Sequence, residues 1–172
     1  EFGWPLDTLH DDPEIRDELL RHVCGVWDYI KNRGPQQDEA RTWALDWVGF
    51  LPAKRESRRF VGAHILTQQE IQSREPFRDS VAYGGWSIDD HTRGGITAVD
   101  KRPSFDSVRI VDYFTNPYPI PLRSLYMTEF ANLFFAGRCM SASRVAFLSL
   151  RVQQTLATTG QAAGTAAAWC IE

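Results

Sequence analysis

The 172-residue sequence is poor in cysteine: Cys24, Cys139 and Cys170 are its only three, and none forms a C-x-x-C pair. An odd, scattered set excludes a disulfide framework and a structural zinc site. Cys24 and Cys139 then read as small, buried packing residues. Charge of one sign is lacking too. With 19 Lys and Arg against 22 Asp and Glu, the net charge of −3 sets up no global field toward nucleic acid or an anionic membrane. No long hydrophobic run is present. The nearest, Thr155 to Ile171, is interrupted by Thr158, Thr159, Gln161 and Thr165 and is too short and polar to span a bilayer. A soluble chain with neither a nucleic-acid nor a membrane partner is therefore expected. Finally, none of the twelve glycines makes a G-x-G. That excludes the G-x-G-x-x-G turn that holds a dinucleotide pyrophosphate. There is no internal repeat and no low-complexity linker.

What is present is globular in character: 43% apolar residues, with six Trp, ten Phe and five Tyr for a core or an aromatic-lined site. Asp12-Pro13-Glu14 has the form of a helix start, with Asp12 as cap. Ile15, Leu19, Leu20, Val23, Val26, Trp27 and Ile30 recur at helical spacing up to Gly34-Pro35. A second helical pattern covers 38–47, with Ala40, Trp43, Ala44 and Trp47 on one face. Next comes a basic run, Lys54 to Arg59, leading into a strand-like stretch from Phe60 to Thr67. Such a run is either a solvated face or a clamp for a phosphate, a carboxylate or a flavin edge. Thr67-Gln68-Gln69-Glu70 matches a capping box.

Val81 to His91 alternates large residues around Gly84-Gly85, as in a strand with a bulge or a close ligand approach. Asp89, Asp90 and His91 have metal-ligand chemistry, but no second His stands at ligand spacing. A polar pocket lining fits better than a metal. Val108 to Phe114 and Tyr118 to Tyr126 read as extended, the second as an edge strand or connector because of Pro119 and Pro121. Arg123 lies among apolar neighbours and, facing inward, needs an acidic partner or a ligand.

The stretch from Asn132 to Ile171 reads as a βα unit. Leu133 to Ala136 is a short apolar run ended by Gly137, suited to a buried parallel strand. The Ala-rich end, with Gly160 and Gly164, suits a helix lying close to a sheet. In such units a ligand sits beyond the carboxyl end of the strand, at the helix N-terminus. Without a G-x-G, this unit must be a later one in its sheet.

Together these stretches resemble a known family. Arg55-Glu56-Ser57-Arg58-Arg59 with Val61-Gly62 and Leu66-Thr67 is similar to the R-E-x-R-R…G…(L/M)-T signature of a group of bacterial FAD-dependent oxidoreductases, often labelled xanthan-lyase-related. Tyr83 to His91 resembles its G-x-(Y/W)-x-I-D-x-H stretch. Ile120-Pro121-Leu122-Arg123-Ser124-Leu125 resembles I-P-Y-R-S-L, with Leu122 in place of Tyr. Asn132 to Ser143 matches N-L-(L/F)-x-A-G-R-C-x-S-A-(T/S), and Ser149 to Ala167 completes the pattern.

The resemblance covers residues 14–171 and implies an α/β, Rossmann-like flavoprotein. The chain would be its C-terminal portion: a substrate-side part over 1–130 and the closing strand and helix of the FAD domain over 131–172. The partner it implies is an N-terminal G-x-G-x-x-G portion of the same chain. FAD would lie against Ala136, Gly137, Arg138, Ser141, Ala142, Ser143, Ser149, Arg151 and Val152. Arg58, Tyr83, Asp89 and Arg123 would line the pocket for a small-molecule substrate, and His91 would be the acid/base, imidazole titrating near neutrality. The activity implied is hydride transfer to FAD, with carbohydrate as the suggested substrate class. The alternative is a module, non-catalytic or lyase-type, that binds an acidic saccharide.

Overall fold

The computed structural model describes residues 5–54, 57–91, 108–112 and 116–171, with the backbone alone for residue 91 and for 108–112. Helices and short antiparallel strands are mixed, and the chain divides into two compact units. One holds residues 1–57 and 93–102; the other holds 58–92 and 103–172.

The first unit is built on α1 (Asp12–Asn32), which starts with Pro13 in its first turn and Asp11 as the flanking residue. Proline's missing N–H falls where a helix has no partner for it. Within this unit only Ile15 of the helix's apolar stripe is buried, and Val23 and Val26 are exposed. The helix expected over 38–47 shrinks to α2 (Gln37–Ala40). The reason is Lys31: its ammonium donates to the carbonyl oxygens of Ala40, Arg41 and Trp43. A lysine that takes the last carbonyls of a helix closes its C-terminal end, and the chain leaves the helix there. Cys24, expected to be a packing residue, is exposed.

The second unit holds the core of Leu66, Ile71, Ile88, Tyr118, Ile120, Leu125, Met140, Phe147 and Leu150. Thr67 opens α3 (Gln68–Ser73) with a complete capping box, its hydroxyl accepting from the Glu70 amide while the Glu70 carboxylate accepts from the Thr67 amide at 2.8 Å. The Val81–His91 stretch becomes two strands, β1 (Ser80–Gly84) and β2 (Ile88–His91), which belong to different sheets. The chain changes sheet just after Gly84, where a Cβ would collide with the Tyr118 hydroxyl. β2 pairs antiparallel with β3 (Val108–Asp112), and β1 pairs antiparallel with β4 (Tyr118–Pro121). Tyr113 and Phe114, the end of the expected extended stretch, lie outside the described residues.

The C-terminal stretch departs most from expectation. Leu133 to Ala136 forms no parallel strand among the described residues; Phe134 makes an isolated antiparallel bridge to Tyr126, and the Phe135 amide donates to the Leu125 carbonyl at 2.8 Å. A parallel ladder needs a strand running alongside, and here the neighbour runs the other way. The segment after Ser143 is a further helix, α4 (Arg144–Leu150), capped by the Ser143 hydroxyl. The long helix α5 (Gln153–Trp169) forms as expected. Gly160 and Gly164 do not lie against a sheet, since a Cβ at either would meet nothing within 4 Å. Cys139 is exposed rather than buried.

Candidate functional site

Three stretches far apart in sequence meet in the second unit. The 60–66 segment, expected to be a strand, is extended but forms no ladder, because its hydrogen bonds go to two different neighbours. The Phe60 amide donates to the Cys139 carbonyl at 2.9 Å and the Leu66 amide to Ser141 at 3.2 Å, while Ser143 donates back to Leu66 at 2.9 Å. On the other side, Ala63 donates to Tyr126 at 2.8 Å and His64 to Arg123 at 3.0 Å. The Ser141 amide closes the triangle with the Ser124 carbonyl at 3.0 Å. Gly62 lies at the centre: a Cβ there would come within 2.9 Å of the Arg123 and Tyr126 carbonyl oxygens and the Ser141 Cβ.

The residues 136–143 thus run over a scaffold made by the other two. Ala136 and Gly137 are half-buried, and Gly137 has φ 71°, a left-handed conformation suited to glycine. Arg138 is exposed, whereas Ser141 and Ala142 are buried and Ser143 caps α4. The hydroxyls of Ser141 and Ser124 are buried with no hydrogen-bond partner among the described residues. Ser149 is fully buried, donates to the Trp86 carbonyl and lies 2.6 Å from the Tyr118 hydroxyl. Val152 precedes α5, whose first turn has no side-chain cap and no acidic residue.

Both ends of α4 are tied to β2. Arg144 Nη2 is 3.2 Å from Asp90 Oδ1, and Arg151 Nη2 donates to the Asp89 carbonyl oxygen at 3.1 Å. This brings Asp89 beside the Ser149–Val152 end of the segment. The backbone of His91 ends β2; its side chain lies outside the described residues. Tyr83 is exposed on β1, where it lines a cavity of about 480 Å³ with Leu122, Gln161, Thr165 and Trp169.

Arg123 finds the acidic partner its position calls for. Asp79 accepts from its backbone amide, Nε and Nη2 at 3.0–3.1 Å. Burial pushes the Asp79 carboxyl up, but the hydrogen bonds from Arg123 outweigh it and hold the group below the ordinary carboxylate range. Arg58 is exposed. The arginine engaged with the segment is its neighbour Arg59, which is not among the residues expected to line the site. Its Nε donates to the Ala142 carbonyl at 3.1 Å, and its guanidinium lies 5.2 Å from the centre of the Phe147 ring. Two adjacent arginines on an extended segment face opposite ways, and only the register of that segment distinguishes them.

A family model described as FAD dependent oxidoreductase matches residues 3–172. The chain belongs to the FAD dependent oxidoreductase family. No curated protein and no solved structure matches it. Three of the stretches that carry the resemblance hydrogen-bond one another around Gly62. Among the described residues no group of three or more His, Cys, Asp or Glu is arranged to hold a metal, and no helix is long and apolar enough to cross a membrane.

Burial pushes the Tyr118 phenol up to about 12, against the opposing effect of its hydrogen bond with Ser149. The folded protein therefore holds this proton between pH 10.0, the ordinary tyrosine value, and about 12. A group raised on folding stabilises fully below its unfolded value, and that contribution is lost as pH rises through the folded value. About 2–3 kcal/mol should disappear over this window, since a tenfold change in proton affinity corresponds to about 1.4 kcal/mol. Denaturant unfolding of the wild type and Tyr118→Phe at increasing pH checks it: a slope equal in both proteins would contradict the assignment.

Proposed function

We propose that this chain forms the flavin-facing and substrate-facing part of an enzyme that transfers a hydride from a small-molecule substrate to FAD. The single observation that supports it best is the convergence of residues 58–67, 123–126 and 136–143 on Gly62, in a chain of this family. When bound, FAD supplies the two-electron chemistry, and the protein positions and tunes it.

The residues present fit such a cofactor. The buried hydroxyls of Ser141 and Ser124 have no partner among the described residues and suit a polar ligand. The uncapped amide end of α5, with Val152 and Arg151 beside it, favours negative charge. Gly137 and Arg138 would approach the ribityl and pyrophosphate portion, with Ala136 at the edge. Ala142, Ser143 and Ser149 would shape the segment passing the ring system. On the substrate side Asp89, Tyr83, Arg123 and Arg58 would line the pocket, and His91 would take the proton. The pyrophosphate turn, absent from this sequence, would come from a G-x-G-x-x-G segment of the longer protein.

The visible spectrum of the purified full-length protein tests this reading. Flavin bands that disappear on anaerobic reduction are expected. A colourless protein that takes up no added FAD would overturn it.

A further inference from the structure

Of the arginines in the motif stretches, Arg123 is held bidentately by Asp79 and Arg144 pairs with Asp90. Arg59 differs. It has no carboxylate partner among the described residues, yet it is half-buried and fixed at two points. Nε is committed to the Ala142 carbonyl, and the guanidinium lies over the ring of Phe147, a fully buried side chain. These two contacts hold the plane of the guanidinium. They consume one of its five N–H donors and leave the four on Nη1 and Nη2 unspent among the described residues. An oriented fork with four donors not spent on the protein is available to a ligand. The same fork matches the two oxygens of a carboxylate or phosphate.

The place of this fork is informative as well. Ala142 lies between Ser141, whose buried hydroxyl has no partner among the described residues, and Ser143, the cap of α4. We infer that Arg59 is an oxyanion-binding residue that receives a carboxylate or phosphate group beside the 141–143 segment. The proposed function bears on this inference only for the origin of the anion, which is either the substrate or the cofactor phosphates. Within the basic run, Arg58 is exposed, while Arg59 holds the anion beside the 141–143 segment.

The test uses the full-length protein and three variants. Arg59→Met keeps the aliphatic stem, Arg59→Lys keeps the charge without the fork, and Arg41→Met is an exposed control. Acetate and inorganic phosphate are titrated while the Arg59 Nε–H resonance is followed by NMR, which needs no flavin. FAD affinity is measured separately by fluorescence quenching, and thermal melts verify folding. A saturable Nε–H shift is expected in the wild type and in Arg41→Met. In the other arm, loss of a charge-assisted pair should weaken binding roughly tenfold to hundredfold. If Arg59→Met and Arg59→Lys both lose FAD affinity to that extent, the cofactor phosphates are the anion. If FAD affinity is unchanged and flavin-loaded protein loses its spectral response to acetate, the anion belongs to the substrate. If neither probe shifts the Nε–H resonance and both variants bind FAD as the wild type does, Arg59 merely braces Ala142 and the inference fails. Should the wild type take up no FAD yet shift with acetate, the proposed function fails and the oxyanion site stands.

Discussion

Phe147→Ala should cost the second unit about 3–5 kcal/mol, the usual range for removing a buried phenyl ring. Phe147 is fully buried, belongs to α4 and packs in the same core as Leu66, Ile71 and Met140. A domain is stable by only about 5–15 kcal/mol, so the variant should lose a large share of its stability. The loss has a second component here, because the ring is also the seat of the Arg59 guanidinium. Phe147→Leu separates the two: it retains most of the volume while removing the π face. Its unfolding midpoint should fall far less than that of Phe147→Ala. A Phe147→Ala protein within about 1 kcal/mol of the wild type, too small for a filled core site to be lost, would contradict the packing described.

The second large effect is expected at Gly62. Its hydrogen faces two backbone carbonyl oxygens and the Ser141 Cβ, each 2.9 Å from where a Cβ would lie. None of the three is the tip of a flexible side chain, so Gly62→Ala must push apart the segments that meet there. Overpacking of this kind costs about 1–3 kcal/mol, and more where backbone has to move. Under the proposed function, FAD binding should weaken with it, since residues 141–143 shift. Gly160→Ala and Gly164→Ala form the contrast. A Cβ at either position meets nothing within 4 Å, and the helix gains about 1 kcal/mol per replacement from propensity alone. Denaturant midpoints of the three variants should therefore move in opposite directions. A Gly62→Ala protein as stable as the wild type would show that the three segments are not packed as described.

These contrasts indicate how much could be read from residues alone. Local rules served well where a few neighbouring residues decide the outcome. Pro13 at a helix start, the Thr67–Glu70 capping box and the long α5 were all legible. So was the need of Arg123 for an acid, although Asp79, 44 residues away, was not. The motifs themselves pointed to the stretches that converge on Gly62.

What failed did so because the deciding partner is distant. The helix expected over 38–47 is cut short by Lys31, whose ammonium takes the carbonyls that a longer helix would use. Helix α4 was hidden for a different reason. Val145-Ala146-Phe147-Leu148-Ser149-Leu150 is apolar at almost every position and shows no amphipathic period, as in a helix buried on all sides. The run Leu133–Ala136 had the composition of a buried strand, but composition does not say in which direction a neighbour runs. Arg58 and Arg59 differ by one position, and composition is the same for both. Small residues at Gly160 and Gly164 suggested close packing, a weaker argument than the observed collision at Gly62.

The prolines of β4 have a consequence for how its sheet can grow. Pro119 and Pro121 are two residues apart, so their nitrogens face the same edge of the strand. Proline has no N–H to donate, and the register with β1 leaves Tyr118 and Ile120 as the only possible donors from β4 to its partner. The far edge of β4 therefore presents carbonyl oxygens without amide donors, and another strand placed there would find half of a ladder missing. Growth from that side is closed, and any strand that extends this sheet must add beside β1.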